Sequence, residues 1–250
     1  MREIAVYPFP QNPSNNLNLF PLELMEGKKV FHGTSSIYCN QIEQKGFQTG
    51  WSPFEGSQGT EFIGMLSDLG MPDTIGDDLS SRITINRYLE NRKKSSLSFA
   101  FRGYEALFYS TGLRRGGQIY LGIQNALNWI DENDLKLNEQ QQLLYDNLFS
   151  KIQEIQESRG CIYLLDLEEV NAVSYGVAIN DIAGSFKAAF FREGFISSSR
   201  IIGKMFVPKE YVFDNDLLIK SVELTNHDAQ TRGTFIYELF CLFMGFKEEE

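Results

Sequence analysis

Two kinds of hydrophobic pattern alternate along this chain, and together they predict a mixed α+β fold. Short runs of apolar, aromatic and β-branched residues between turn signals favour strands. Such runs lie at 30–32, 97–101, 117–121, 161–167, 172–178 and 217–224. Apolar residues at helical spacing predict helices at 37–45, 77–92 and 104–109 and through most of 125–158, and residues 234–246 fit either a strand or a helix.

The long helix has the clearest pattern, and its most regular part lies near 138–158. Asn138 and Gln141 are spaced as a capping pair, in which each side chain accepts a hydrogen bond from the backbone N–H of the other residue. Apolar residues then recur at helical spacing on one side, at Leu144, Leu148, Ile152 and Ile155. We expect an amphipathic helix laid against a domain.

The segments before and after the first predicted strand lack this regularity. Residues 1–27 are rich in proline and asparagine but carry several large apolar residues, so we expect an extended N-terminal arm that packs on a single domain of residues 28–250. Residues 50–78 are interrupted by glycine, and we expect a mobile functional loop there, with at most a turn or two near 62–69.

Composition narrows the class of function. The formal charge of -10 disfavours sequence-independent binding to nucleic acid, without excluding a local basic groove. The spacing of Cys39, Cys161 and Cys241 matches no zinc or disulfide framework, and the two histidines, His32 and His227, are far apart, so no metal is expected. Without a signal segment or membrane-length apolar run, we expect a soluble protein, cytoplasmic or delivered into another cell without a cleavable signal peptide.

Three short motifs carry the candidate chemistry. The first is His32-Gly33-Thr34 after the apolar Val30-Phe31, followed by a serine pair, a short helix and Gly46-Phe47. The second runs from Ser98-Phe99-Ala100 to an Ala-x-x-aromatic helix that ends at Tyr109. The third is Glu193 before an apolar strand and a Val-Pro-x-x-Tyr segment at 207–211. In this order the motifs resemble the ADP-ribosyltransferase superfamily, in the branch shared by diphtheria-type toxins and poly(ADP-ribose) polymerases.

The resemblance implies an α+β fold with a split, two-sheet β core that holds NAD in a cleft. It implies an NAD-dependent mono-ADP-ribosyltransferase that modifies a macromolecular target, in the first instance a protein, with release of nicotinamide, as a toxin or effector does. Breaking the nicotinamide–ribose bond passes through an oxocarbenium-like state, which a carboxylate stabilises. No metal and no membrane partner is implied, and nucleic acid is a less favoured target.

The resemblance also assigns roles to residues. Glu193 would stabilise the cationic ribose, His32 would donate to a ribose hydroxyl, and Tyr109 would stack on the leaving ring. Gly33 would hold the carboxamide through its backbone, because the missing Cβ lets a flat ligand approach. The catalytic set is therefore Glu193, His32 and Tyr109, and the NAD-binding set is His32, Gly33, Thr34, Ser98, Phe99 and Tyr109.

Alternatives remain open at this stage. Glu168, Glu169 and Glu210 compete with Glu193 as the acid, since a glutamate at a strand end is usually just exposed. An NAD-dependent RNA 2′-phosphotransferase shares the His-Gly-Thr motif, although the acidic balance argues against RNA. A non-catalytic module that binds a partner through the long helix is the third reading.

Overall fold

A computed structural model describes residues 3–48, 53–73, 82, 85–86, 89–90, 96–167, 175–182 and 185–244, with the backbone alone for 175–193. Nine strands are present in this part of the chain: β1 Ala5–Tyr7, β2 Lys29–Ser35, β3 Phe47–Gln48, β4 Ser96–Phe99, β5 Gly160–Asp166, β6 Tyr175–Ile182, β7 Ser185–Glu193, β8 Phe195–Ile196 and β9 Ile201–Val207. The bounded α-helices are α1 Cys39–Lys45, α2 Gln58–Asp68, α3 Gly103–Phe108, α4 Gln118–Glu132, α5 Glu139–Glu157, α6 Asn215–Gln230 and α7 Phe235–Met244. The predicted mixed α+β class is confirmed.

The chain divides into two compact units. The first comprises Met1–Thr49, Ser96–Thr111 and Arg159–Glu250, and the second comprises Gly50–Ser95 and Gly112–Ser158. All nine of these strands belong to the first unit.

Two sheets of the first unit meet at one point. A four-stranded sheet has the order β1-β9-β5-β2, and a three-stranded sheet has the order β4-β7-β6. An isolated antiparallel bridge joins Phe31 in β2 to Ala100, the residue after β4. Both backbone hydrogen bonds of this bridge form, at 2.8 and 2.7 Å. Among the described residues this bridge is the backbone pairing between the two sheets, so β2 and β4 separate on either side of it.

The core lies on both faces of the four-stranded sheet. The first six residues of strand β5 are buried, as its nearly continuous apolar sequence predicts for a central strand. Side chains alternate between the faces, so Val30, Tyr163 and Leu165 pack in one cluster, whereas Phe31 and Leu164 pack in the other.

The N-terminal arm belongs to this core. Leu17, Leu19 and Phe20 are buried in the cluster that contains Phe31, and β1 pairs in parallel with β9. Large apolar residues therefore anchor the arm, as expected from its sequence, although its chain includes a strand and short 3-10 turns.

The second unit is helical where it is described. Helix α5 begins with the predicted capping box of Asn138 and Gln141 and buries Leu148, Ile152 and Ile155, so the long helix near 138–158 is confirmed. The glycine-rich stretch differs from the expectation, because α2 spans eleven residues and buries Phe62 with Met65 and Leu66. These three residues have helical spacing, but the surrounding glycines favoured the prediction of a loop. The remaining residues of that stretch lie partly outside the described ranges.

Three sequence-based elements were wrong. Residues 117–121 do not form the predicted strand: Gly117 is the N-cap of helix α4 and the rest begin it, because Ile119, Ile123 and Leu127 recur every fourth position and are buried. Residues 217–224 lie in helix α6. Asp214 caps the start of this helix, because its side chain accepts hydrogen bonds from two backbone N–H groups. Residues 125–158 form two helices, separated between Glu132 and Glu139. Residues 234–246, left open above, form helix α7 over their described part.

A buried carboxylate joins α3 to α6. Glu105 is 4% exposed and accepts hydrogen bonds from the Thr225 hydroxyl at 2.6 Å and the Phe101 backbone N–H at 3.2 Å. Burial raises the pKa of Glu105 from 4.5 to about 7, and these hydrogen bonds and the neighbouring Arg102 oppose the rise only in part. Arg102 itself is paired with Asp228.

This arrangement predicts a pH-dependent stability. Because the pKa of Glu105 is raised in the folded state, the stabilisation of the fold by the protonated carboxyl is complete below pH 4.5. It is lost as the pH rises through about 7. The free energy of unfolding should fall by about 3 kcal/mol across that window through Glu105 alone. Denaturant titrations at several pH values measure how the free energy of unfolding changes with pH. This change should be smaller for Glu105→Gln than for the wild type, and an equal change in both proteins would contradict the prediction.

In the part of the chain that the structure describes, no helix is long and apolar enough to cross a membrane.

Candidate functional site at the junction of β2 and β4

His32 lies in the middle of β2, not at its end as predicted, since the strand continues to Ser35. The residue is half-buried, and its ring lies between two phenylalanines. The centroid of Phe47 lies 4.9 Å away in an edge-to-face arrangement, and that of Phe99 lies 5.5 Å away. The two rings hold the imidazole beside the point where the sheets separate.

One hydrogen bond determines the tautomer of His32. Its Nδ1 lies 2.9 Å from the backbone carbonyl oxygen of Ser98. A carbonyl oxygen only accepts, so Nδ1 carries the hydrogen and Nε2 holds a lone pair in the neutral ring. Burial lowers the pKa of His32, and the bond to Ser98 offsets this only partly. Near neutral pH, Nε2 is therefore able to accept a hydrogen bond, whereas the resemblance implies a donor role for His32.

We expect His32 to titrate below pH 6.5 in the folded protein, because burial disfavours the imidazolium. Nitrogen-15 NMR of the histidine side chains should show Nδ1 protonated and Nε2 unprotonated at pH 7. His32→Gln identifies the resonance. A pKa above 6.5, or the opposite tautomer, would contradict this arrangement.

Gly33 presents its backbone to the open edge of β2. The Phe31 N–H and C=O point to Ala100, away from β5, and in an antiparallel ladder every second residue points the same way. The Gly33 N–H and C=O therefore point away from β5 too. Continued pairing would place Gly33 opposite Ser98, but the Ser98 carbonyl accepts from His32 instead. Outside the β2–β5 ladder, no backbone–backbone hydrogen bond to Gly33 is found among the described residues.

Helix α3 covers the other face of β2. A Cβ on Gly33 would lie 1.8 Å from the Ala106 carbonyl oxygen, so the helix backbone packs directly on the strand. The Ser110 hydroxyl follows the helix and donates to the carbonyls of Ala106 and Cys161, both at 3.1 Å. Tyr109 ends α3 and packs edge-on against Phe108. The predicted stacking residue thus lies at the end of the helix that flanks Gly33, on the face opposite His32.

Glu193 ends strand β7 and does not start a strand, contrary to the sequence-based expectation. It pairs with Ser96 in β4. Ser96 is two residues before Ser98, which is roughly 6.6 Å along the strand. The chain then turns at Gly194 into β8, where Ile196 pairs with Phe47. The strands on both sides of Glu193 therefore lead to groups that touch His32. The direction of the Glu193 side chain lies outside the described residues.

The other proposed site residues surround this point. Thr34 is buried and shares the face of His32, and Ser98 is exposed. Of the competing acids, Glu210 is exposed after β9, whereas Glu168 and Glu169 lie outside the described residues. Within those residues no group of three or more His, Cys, Asp or Glu is arranged to hold a metal ion.

Sequence reasoning missed a polar network next to His32. Tyr163, which pairs with His32 across β2 and β5, donates to Glu43 Oε1 at 2.9 Å. Lys204 Nζ lies 2.5 Å from the same oxygen. The side chain of Glu43 retains 22% exposure and that of Lys204 retains 13%. Their spacing in sequence gives no signal of this contact, because it depends on the order of β2, β5 and β9.

Comparison of the chain with protein-family models, with curated proteins and with solved structures gave no match.

Proposed function

We propose that the chain is an NAD-dependent mono-ADP-ribosyltransferase that transfers ADP-ribose to a macromolecule, in the first instance a protein, and releases nicotinamide. The observation that carries the proposal is the interrupted pairing of β2 and β4. Beyond the Phe31–Ala100 bridge, Gly33 keeps one backbone donor and one acceptor at an open edge. A primary carboxamide offers the complementary acceptor and donor.

His32 supports a ribose beside that edge. With Nδ1–H donated to Ser98, Nε2 is left to accept from a hydroxyl group. Phe47 and Phe99 restrict the ring to this orientation, so binding a sugar costs less rotational freedom of the imidazole.

Glu193 is the acid that we propose for the chemical step. NAD, as the co-substrate, supplies an electrophilic ribose carbon when its bond to nicotinamide breaks. A carboxylate near that carbon stabilises the positive charge as it develops. Glu193 pairs with Ser96 through the backbone, and Ser96 is two residues before Ser98, whose carbonyl oxygen accepts from His32.

A binding module without catalytic activity is the second candidate. The packing of Phe47 and Phe99 on His32 favours it, because the same packing holds a structural histidine in a core. Such a module would neither bind nor turn over NAD, so calorimetric titration with NAD separates the two functions.

The proposal is tested with His32→Ala in assays of NAD binding and nicotinamide release. We expect loss of both, because the variant removes the proposed hydroxyl acceptor and loosens the aromatic contacts. His227→Ala is the matched control, since it changes the other histidine, which is 75% exposed on α6. Wild-type protein that neither binds NAD nor labels itself or a lysate protein from labelled NAD would exclude the transferase.

A further inference from the structure

Cys39 and Cys161 lie side by side behind the His32-Gly33-Thr34 segment, although they are far apart in sequence. Cys161 pairs with Thr34 across β2 and β5, and Cys39 begins α1. Both are buried in one cluster, and their thiols form a hydrogen bond with each other. The two thiols are therefore neighbours in the reduced protein.

The surroundings make the two thiols unequal. The hydrogen bond from Cys161 lowers the pKa of Cys39, and the charge of Lys204 acts in the same direction, against burial and the charge of Glu43. Burial raises the pKa of Cys161. The thiolate is the reactive form of cysteine, so Cys39 is the nucleophile of the pair.

The solvent exposure of the two cysteines also indicates that Cys39 reacts first. Cys39 retains 7% of its surface and Cys161 retains none, so an oxidant meets Cys39 first and has to be small. Cys39 follows the 3-10 turn Ser36–Tyr38 and opens a helix of seven residues, where a small shift breaks few backbone bonds. Such a shift is needed because an S–S bond is about 2.05 Å long.

We propose that Cys39 and Cys161 are a redox pair that forms an intramolecular disulfide when hydrogen peroxide reaches Cys39. The Cys39 thiolate attacks one peroxide oxygen, the O–O bond breaks, and the products are a sulfenic acid and hydroxide. The Cys161 sulfur then attacks the Cys39 sulfur, its proton leaves with the displaced hydroxyl as water, and the S–S bond forms. Peroxide is reduced by two electrons and the two thiols are oxidised. The product ties α1 to β5 beside Thr34, whether or not the chain binds NAD.

The full chain is treated with hydrogen peroxide under native conditions, the remaining thiols are alkylated, and the protein is digested without reduction. We expect one cross-linked peptide that joins Cys39 to Cys161, and an intact mass lower by about 2 Da in the unalkylated product, for the two hydrogens lost. Dithiothreitol should reverse both changes. Separate peptides with free or over-oxidised Cys39 and Cys161, or a bond from either to Cys241, would overturn the proposal.

Two variants assign the roles. Cys241→Ser removes the remaining cysteine and should leave the cross-link intact. Cys161→Ser should abolish the cross-link and leave Cys39 as a sulfenic acid, detected as its dimedone adduct. Dimedone labelling of Cys241 in preference to Cys39 in that variant would show the proposed order of attack to be wrong. If Cys161→Ser does not fold, the cross-link map of the wild type still decides.

Discussion

Replacing Glu193 by glutamine should lower NAD turnover by about a hundredfold to a thousandfold, the usual effect of removing one preorganised electrostatic contact of about 2.7–4 kcal/mol. Glutamine keeps the shape and a hydrogen-bonding oxygen but removes the charge. The charge matters most once the ribose becomes cationic, so NAD affinity should change far less than turnover. Rates of nicotinamide release under saturating NAD, with calorimetric affinities, measure the two effects separately.

Glu210→Gln is the matched control, because Glu210 is an exposed glutamate after β9. It should leave turnover nearly intact, and so should Glu168→Gln. Wild-type turnover in Glu193→Gln, with loss of turnover in either control, would move the acid to that residue. If all three variants are as active as the wild type, the mechanism proposed for the acid fails.

Gly33→Ala should destabilise the first unit by about 3 kcal/mol or more, at or above the upper end of the usual cost of overpacking a core. The added Cβ would lie 1.8 Å from the Ala106 carbonyl oxygen and 2.7 Å from the Ser110 hydroxyl. The nearest group is backbone, so relief requires α3 to move away from β2. Denaturant unfolding followed by circular dichroism measures the loss.

Gly64→Ala provides the control for this substitution. Gly64 lies in helix α2, and no atom would come within 4 Å of its added Cβ. Alanine is favoured over glycine inside a helix by about 1 kcal/mol, so this variant should be slightly more stable than the wild type. A Gly33→Ala protein as stable as the wild type would show that α3 does not pack against β2 in this way.

Local patterns predicted the elements whose signals are contained in a few neighbouring residues. The capping box at Asn138 is one example, because both partners lie within one helical turn. Strand β5 is another, since a central strand buried on both faces needs a continuous apolar run. Residues 117–121 were misassigned as a strand because Ile119, Tyr120 and Leu121 also match a short strand, and only Ile123 and Leu127 further along establish the helical period.

The candidate site depended more on tertiary structure than on local pattern. The sequence pointed to His32 and to the strand that contains Ser98, and the structure brings their atoms to 2.9 Å. The sequence did not indicate that the contact uses the Ser98 backbone carbonyl, because every residue carries that group. The same holds for Phe47 and for Glu43, whose positions follow from how α1 and β3 fold back over β2.

The pairing of β1 with β9 has a consequence for how the protein is made. Ala5 lies beside Gly203, about 200 residues later in the chain. On a ribosome, β1 emerges long before its partner strand exists, so the first residues wait until β9 has left the exit tunnel. Contacts this distant in sequence slow folding, since the loop must close before the pairing repays its entropy. During that interval Phe20, buried in the finished core, lacks its final packing and β1 lacks its partner strand, so the risk of aggregation lasts until β9 has been made.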